Sequence, residues 1–243
     1  MRLRACPTWA LVIATGMGCA PEHGGAAQSP ASTSLNALTP AERTAGWRLL
    51  FDGRTTSGWR NFKRDSIGAG WQVVDGALTR AQPGAGDIIT RDKFKNFELS
   101  LEWKIAPGGN SGIFYRASED DDAVYWTAPE MQVLDDAHHP DGESRLTAAG
   151  ANYGLDPSAA GVAKPAGEWN EVRLVVNGHH VEHWLNGVKV VEYELGSPAW
   201  EAKVKASKFA PHVHYGRNTE GYIGLQDHGD QVSYRNIKIR VLP

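Results

Sequence analysis

Cysteine is scarce in this chain of 243 residues: there are two, Cys6 and Cys19, both close to the N-terminus. Beyond Cys19 there is none, so no disulfide framework and no cysteine-ligated metal can organise the folded part. An excess of positive charge is also lacking. Lysine and arginine number 25 against 28 aspartates and glutamates, and the formal net charge of −3 gives no footprint for a nucleic-acid partner. Helical periodicity is nearly missing, and residues 199–207 could supply one or two turns at most. No serine nucleophile elbow, zinc-binding helix motif or dinucleotide fingerprint is present, so no nucleotide cofactor is expected.

What is there begins with a leader. Arg2 and Arg4 precede an apolar run over residues 9–17, and Gly18-Cys19 closes it. The run is too short to cross a bilayer, and the order of charge, short apolar core and small residues is that of a secretory signal. Cys19 stands where a lipoprotein signal places its lipidated cysteine, although Gly16 occupies a position that is usually aliphatic. Residues 1–19 are therefore expected to export the chain and to tether it, at Cys19, as a periplasmic or outer-membrane lipoprotein. An ordinary signal cut nearby, without lipid, is the alternative. Residues 20–45 read as a flexible linker, rich in Ala, Ser, Pro and Gly and without an apolar period.

From residue 46 the pattern has period two. Phe97, Leu99, Leu101, Trp103 and Ile105 fall on one face of a strand, and Glu98, Ser100, Glu102 and Lys104 on the other. Val172, Leu174 and Val176 repeat it. Asn177-Gly178 and Asn186-Gly187 are hairpin signals, so residues 169–193 read as a three-stranded meander. Further strands are expected at 71–74, 112–116, 130–134, 222–226 and 232–241. In the last of these, Val232 and Tyr234 share one parity while Ile237 and Ile239 share the other, which a bulge or a change of neighbouring layer would explain. Many short strands joined by hairpins imply a β-sandwich of two antiparallel sheets in one domain, residues 46–243.

Three segments could carry chemistry. On the strand at 130–134, Glu130 and Gln132 share a face opposite Met131 and Val133, which suits a sugar-binding groove as well as an ordinary solvated sheet face. Asp135, Asp136, His138, His139 and Asp141 follow at once, and crowding of titratable groups shifts pKa values. Gln226 and His228 share parity at a strand end, where a histidine can exchange protons near neutral pH or merely bond within a turn. Around the glycine-rich turn at 108–112, Asn110 and Arg116 could bind hydroxyls or an oxyanion, or Arg116 could sit in a surface ion pair. His212 and His214 would share a face if extended, and could then ligate a metal. His180 and His183 would face opposite ways on a strand. Asp120, Asp121 and Asp122 lack the spacing of a calcium loop.

Leu50-Phe51-Asp52-Gly53 with Gly58-Trp59, Gly109-Asn110-Ser111-Gly112-Ile113, Glu130-Met131-Gln132-Val133-Leu134-Asp135, Gly167-Glu168-Trp169-Asn170, His183-Trp184-Leu185-Asn186-Gly187, Gly221-Tyr222-Ile223-Gly224-Leu225-Gln226-Asp227-His228 and Arg235-Asn236-Ile237 follow one another in the order seen in the 3-keto-disaccharide hydrolase family. The chain resembles that family over residues 46–243. The resemblance implies a concanavalin A-like jelly-roll sandwich of two curved antiparallel sheets and an enzyme that cleaves glycosides whose sugar carries a 3-ketone. A ketone at C3 acidifies the proton on C2, so such chemistry needs a base, an acid and a positive group for an enolate. Glu130 or His138 is the expected base, His228 the acid, and Arg116 or a divalent metal ion the enolate partner. Asn110, Gln132, Asp135 and Gln226 are expected to orient the sugar. A non-catalytic carbohydrate-binding module and a structural surface lipoprotein are the competing readings, since one fold hosts many functions.

Overall fold

The computed structural model describes residues 34–243. The expected leader with Cys19 and most of the expected linker lie outside the described residues. In chain order the strands are β1 (Trp47–Leu49), β2 (Trp59–Asn61), β3 (Trp71–Val74), β4 (Ala77–Arg80), β5 (Ile88–Thr90), β6 (Phe97–Ile105), β7 (Asn110–Ala117), β8 (Glu130–Leu134), β9 (Asn170–Asn177), β10 (His180–Leu185), β11 (Val188–Glu194), β12 (Tyr222–Leu225) and β13 (Val232–Val241). Helix α1 spans Pro40–Thr44 and α2 spans Pro198–Lys205, where a turn or two was expected.

The strands form two antiparallel sheets. One has eight strands, ordered β11-β10-β9-β6-β13-β4-β3, with β1 also paired to β13; the other has five, ordered β2-β5-β12-β7-β8. Period-two patterning places one face of each sheet in a shared core. Phe97, Leu99, Leu101, Trp103, Val172, Leu174 and Val176 of the large sheet are buried there with Ile113, Met131, Val133, Ile223 and Leu225 of the small one. Tyr115 and His183 join the sheets through a 2.9 Å hydrogen bond, and His183 faces inward while His180 faces out.

Local chemistry sets the turns. Asn186 and Gly187 both have positive φ (48° and 81°), as a type I′ hairpin requires. The other expected Asn-Gly turn moves by one residue: Asn177 ends β9, and Gly178-His179 make the connection with positive φ at Gly178 alone. The parity change in β13 is a bulge. Its register against β6 shifts between Arg235 and Lys238, and Asn236 takes φ 52°.

The expected linker over 20–45 is corrected at its C-terminal end. From Asn36 the chain is docked on the large sheet. Asn36 and Asn236 exchange hydrogen bonds, each backbone N–H donating to the other's side-chain oxygen (2.6 and 2.8 Å), and Asn36 Nδ2 donates to Gly76 O. Thr39 and Glu42 form a capping box for α1, and Glu42 pairs with Lys238. Polar anchors fix this segment, so an apolar period could not announce it.

Candidate active site

The outward face of the small sheet carries a pocket of about 350 Å³ above β7 and β8. Asn110, Glu130, Gln132, Gln226 and His228 line it, together with Tyr125, Trp126, Tyr153 and Lys208. Alternation on β8 aims Glu130 and Gln132 to this face while Met131 and Val133 enter the core. Gly112, opposite Gln132 in register, leaves the space in which the Glu130 side chain lies. The β8 edge is covered by residues 150–153. Gln132 N–H donates to Ala151 O, and Tyr153 N–H donates to Glu130 O (3.1 and 3.0 Å), which brings Tyr153 to the pocket wall.

Glu130 is 5 % exposed and its carboxylate has no hydrogen-bond partner among the described residues. Burial raises its pKa to about 8, against the pull of the Lys208 cation and with some push from Asp87 and Asp141. Lys208 lies over the Tyr153 ring at 4.3 Å. The Tyr153 hydroxyl and Asn110 Nδ2 both donate to Asp141 Oδ2 (3.3 and 3.4 Å). Burial and the neighbouring carboxylates push the Tyr153 phenol up to about 12. Trp126 stacks on His212 at 3.7 Å, and the His139 and His228 rings meet edge to face at 6.2 Å.

The loop after β12 is held firmly. Gln226 N–H donates to Gly112 O, and Ser111 Oγ donates to Gln226 O. Asp227 accepts from Arg80 Nε (2.6 Å) and Gly86 N–H (2.7 Å), and its own N–H donates to Asp87 Oδ1 (2.8 Å). Both partners of the Arg80–Asp227 ion pair are buried. Gln226 and His228 flank this anchored residue, so the pair fixes two pocket groups at once.

Five of the expected residues therefore converge: Asn110, Glu130, Gln132, Gln226 and His228. Three do not. Arg116 sits at a bulge, with φ 51° beside the register shift between Tyr222 and Gly224, and its guanidinium donates to Lys95 O rather than into the pocket. Asp135 is turned to the sandwich end, where it accepts from Gly108 N–H and His138 Nδ1 (2.8 Å each). Burial would raise its pKa, but these donors hold it below the usual carboxylate range. His138 is thereby engaged on Asp135, with its ring largely in solvent. Lys208, Tyr125, Trp126 and Tyr153 were not singled out. Tyr125 and Trp126 sit in a short 3-10 turn just before β8, Tyr153 and Lys208 come from irregular segments farther along the chain, and no spacing rule marks any of them.

His212 stacks on Trp126 and His214 approaches Asp121, so the two do not share a site. Among the described residues, one group of three potential ligands converges within 4.8 Å: His180, Glu182 and Glu192 on the outer face of β10 and β11. Lys189 already bridges Glu182 and Glu192 there.

A family model described as the 3-keto-alpha-glucoside-1,2-lyase-like domain matches residues 46–240. A 3-keto-disaccharide hydrolase of Bacteroides thetaiotaomicron is 40% identical over 228 residues, covering 81% of this chain and 79% of that protein. A crystal structure from Parabacteroides distasonis, described in its name as a candidate glycosyl hydrolase, superposes with a TM-score of 0.81 at 33% identity, over 86% of this chain and 100% of the other. A Bacillus subtilis protein with a galectin-like fold shares the architecture at 15% identity and a TM-score of 0.51, covering 77% and 92% of the two chains.

Proposed function

The chain belongs to the 3-keto-alpha-glucoside-1,2-lyase-like family, and from that premise we propose that it cleaves glycosides whose sugar ring carries a ketone at C3. The observation that carries this reading is Glu130. It is a buried carboxyl with raised proton affinity, free of hydrogen-bond partners among the described residues, and lining a pocket with polar groups on its floor and aromatic groups on its walls.

In this mechanism Glu130 removes the proton from C2. The electrons of the C2–H bond form the enolate of the C3 ketone, and the Lys208 ammonium stabilises its oxygen. The enolate collapses to a C1=C2 bond as the C1–O bond breaks, and His228 gives a proton to the departing oxygen. Water then adds at C1 and a proton returns to C2, so the net reaction is hydrolysis. His138 is replaced by Glu130 alone as base, and Arg116 by Lys208 as the positive group, because the geometry holds His138 and Arg116 elsewhere.

Export and attachment through Cys19 belong to the same proposal, supported by the order of charge, apolar run and small residues in 1–19. Loss of membrane association in Cys19→Ser, with the enzyme still secreted, is the expected result; an unchanged distribution contradicts the anchor.

Purified protein is offered matched 3-keto and unoxidised glycosides, with aglycone release followed by mass spectrometry. Release from the keto forms alone supports the proposal. Binding of unoxidised glycan with no product from any substrate would move the function to a carbohydrate-binding module.

A further inference from the structure

The pocket floor holds more unsatisfied polarity than a resting surface tolerates. Asn110, Gln132 and Gln226 are 2 %, 1 % and 8 % exposed, yet Asn110 Oδ1, Gln132 Oε1, Gln132 Nε2 and Gln226 Oε1 are buried with no hydrogen-bond partner. Buried polar groups are nearly always paired, and each unpaired one is costly. The orientation of Asn110 follows from its other half: Nδ2 donates to Asp141, so Oδ1 is the group left over. Gln226 is pinned at both backbone groups. Gln132 is pinned likewise, because its N–H donates to Ala151 O and its C=O accepts from Gly150 N–H (2.8 Å). Their backbones are fixed, and where the side chains lie these carboxamide atoms meet no protein partner.

Three of the four orphaned atoms are acceptors. They require donors, and neither a ketone, a ring ether nor an alkyl group is one; a sugar hydroxyl is. The remaining atom, Gln132 Nε2, is a donor beside its own acceptor, so Gln132 fits a hydroxyl together with a neighbouring oxygen. We infer that Asn110, Gln132 and Gln226 form a floor that reads sugar hydroxyls, with Gln132 as a specificity-determining residue, so that the substrate is a sugar unit whose remaining hydroxyls are free. Deoxy and O-alkylated sugars are rejected, because each missing hydroxyl strands a buried carboxamide atom. This rests on the proposed function, since the sugar must occupy this pocket.

The test is calorimetric binding of 1,5-anhydro-3-keto-glucitol to the full chain. This probe lacks a leaving group at C1, so it reports recognition without turnover. Its 2-, 4- and 6-deoxy analogues are compared with it. At least two are expected to bind roughly 10- to 100-fold more weakly. In Gln132→Met, which keeps side-chain length without polar atoms, the parent weakens and one of those penalties disappears. If the parent binds and all three analogues bind within twofold of it, the inference is overturned while the proposed function stands. The inference is equally overturned if Gln132→Met retains every penalty. If the parent does not bind at all, both the inference and the reading beneath it fall.

Discussion

Gly112 makes room for Glu130. A Cβ at position 112 would stand 2.7 Å from Cδ and 2.8 Å from Cγ of the Glu130 side chain, and would overlap its carboxylate. A glycine in a strand interior weakens the strand, and here the missing side chain gives the buried carboxyl its place on the sheet.

Gly112→Ala should therefore displace Glu130 while leaving the sandwich folded. We expect a loss of stability of about 1–3 kcal/mol from overpacking and a fall in kcat/KM of about 100-fold or more, the range lost with a misplaced catalytic group. Thermal melts and initial rates on a 3-keto glycoside check this. Native-like turnover in a folded variant contradicts the positioning.

Glu130 should also cost stability. Its pKa is about 8 in the folded chain against an ordinary 4.5. Folding therefore favours the protonated form, and the stability that this form contributes is lost as pH rises from about 4.5 through 8. Glu130→Gln is predicted to match the parent near pH 4 and to exceed it increasingly up to pH 8, by up to roughly 5 kcal/mol. Parallel denaturant titrations at pH 4, 6 and 8 measure it. A constant difference across that range contradicts a raised pKa.

The same value sets the rate profile. A base must be ionised to act while His228 must hold a proton for the departing oxygen, so kcat/KM of the parent should follow a bell; in His228→Gln, which removes the second group, it should climb about tenfold per pH unit and level off above about pH 8. A fall in that variant's activity through that pH instead assigns Glu130 the role of acid. Stopped assays in overlapping buffers separate the two.

Arg80 and Asp227 should govern His228 and Gln226 from outside the pocket. Asp227→Asn leaves Arg80 buried without its charge partner, which costs about 3–5 kcal/mol. Beyond that loss, the surviving folded fraction should show reduced kcat and a changed pH dependence, since the residue between the two pocket groups has lost its anchor. Rates corrected for folded fraction that equal those of the parent contradict a positioning role.

The fold was open to reading because its strands bury one face: alternation at Phe97–Ile105 and at 172–176, and the parity break before Ile237, each report which side chains meet the core. Glu130, Gln132, Gln226 and His228 were found for the same reason, since strand parity decides which face they join, whereas Asn110 was marked by its glycine-rich turn. Arg116 was marked by the same glycine-rich segment, and a bulge at the residue itself turns its side chain away from the pocket. Asp135 and His138 were misjudged because closeness in sequence to Glu130 says nothing of which way a loop turns at the end of a strand. Lys208 and Tyr153 had no sequence signal at all. Long irregular segments carry them to the pocket, and only tertiary pairing, such as Tyr153 N–H on Glu130 O, places them.

The most direct test of C2 deprotonation is cleavage of a 3-keto glycoside in deuterium oxide, with the sugar product analysed by mass spectrometry and NMR. The mechanism predicts one solvent deuterium at C2 of the product, and a primary isotope effect on aglycone release when C2 of the substrate carries deuterium. Release of the aglycone with the original C2 hydrogen retained would contradict it.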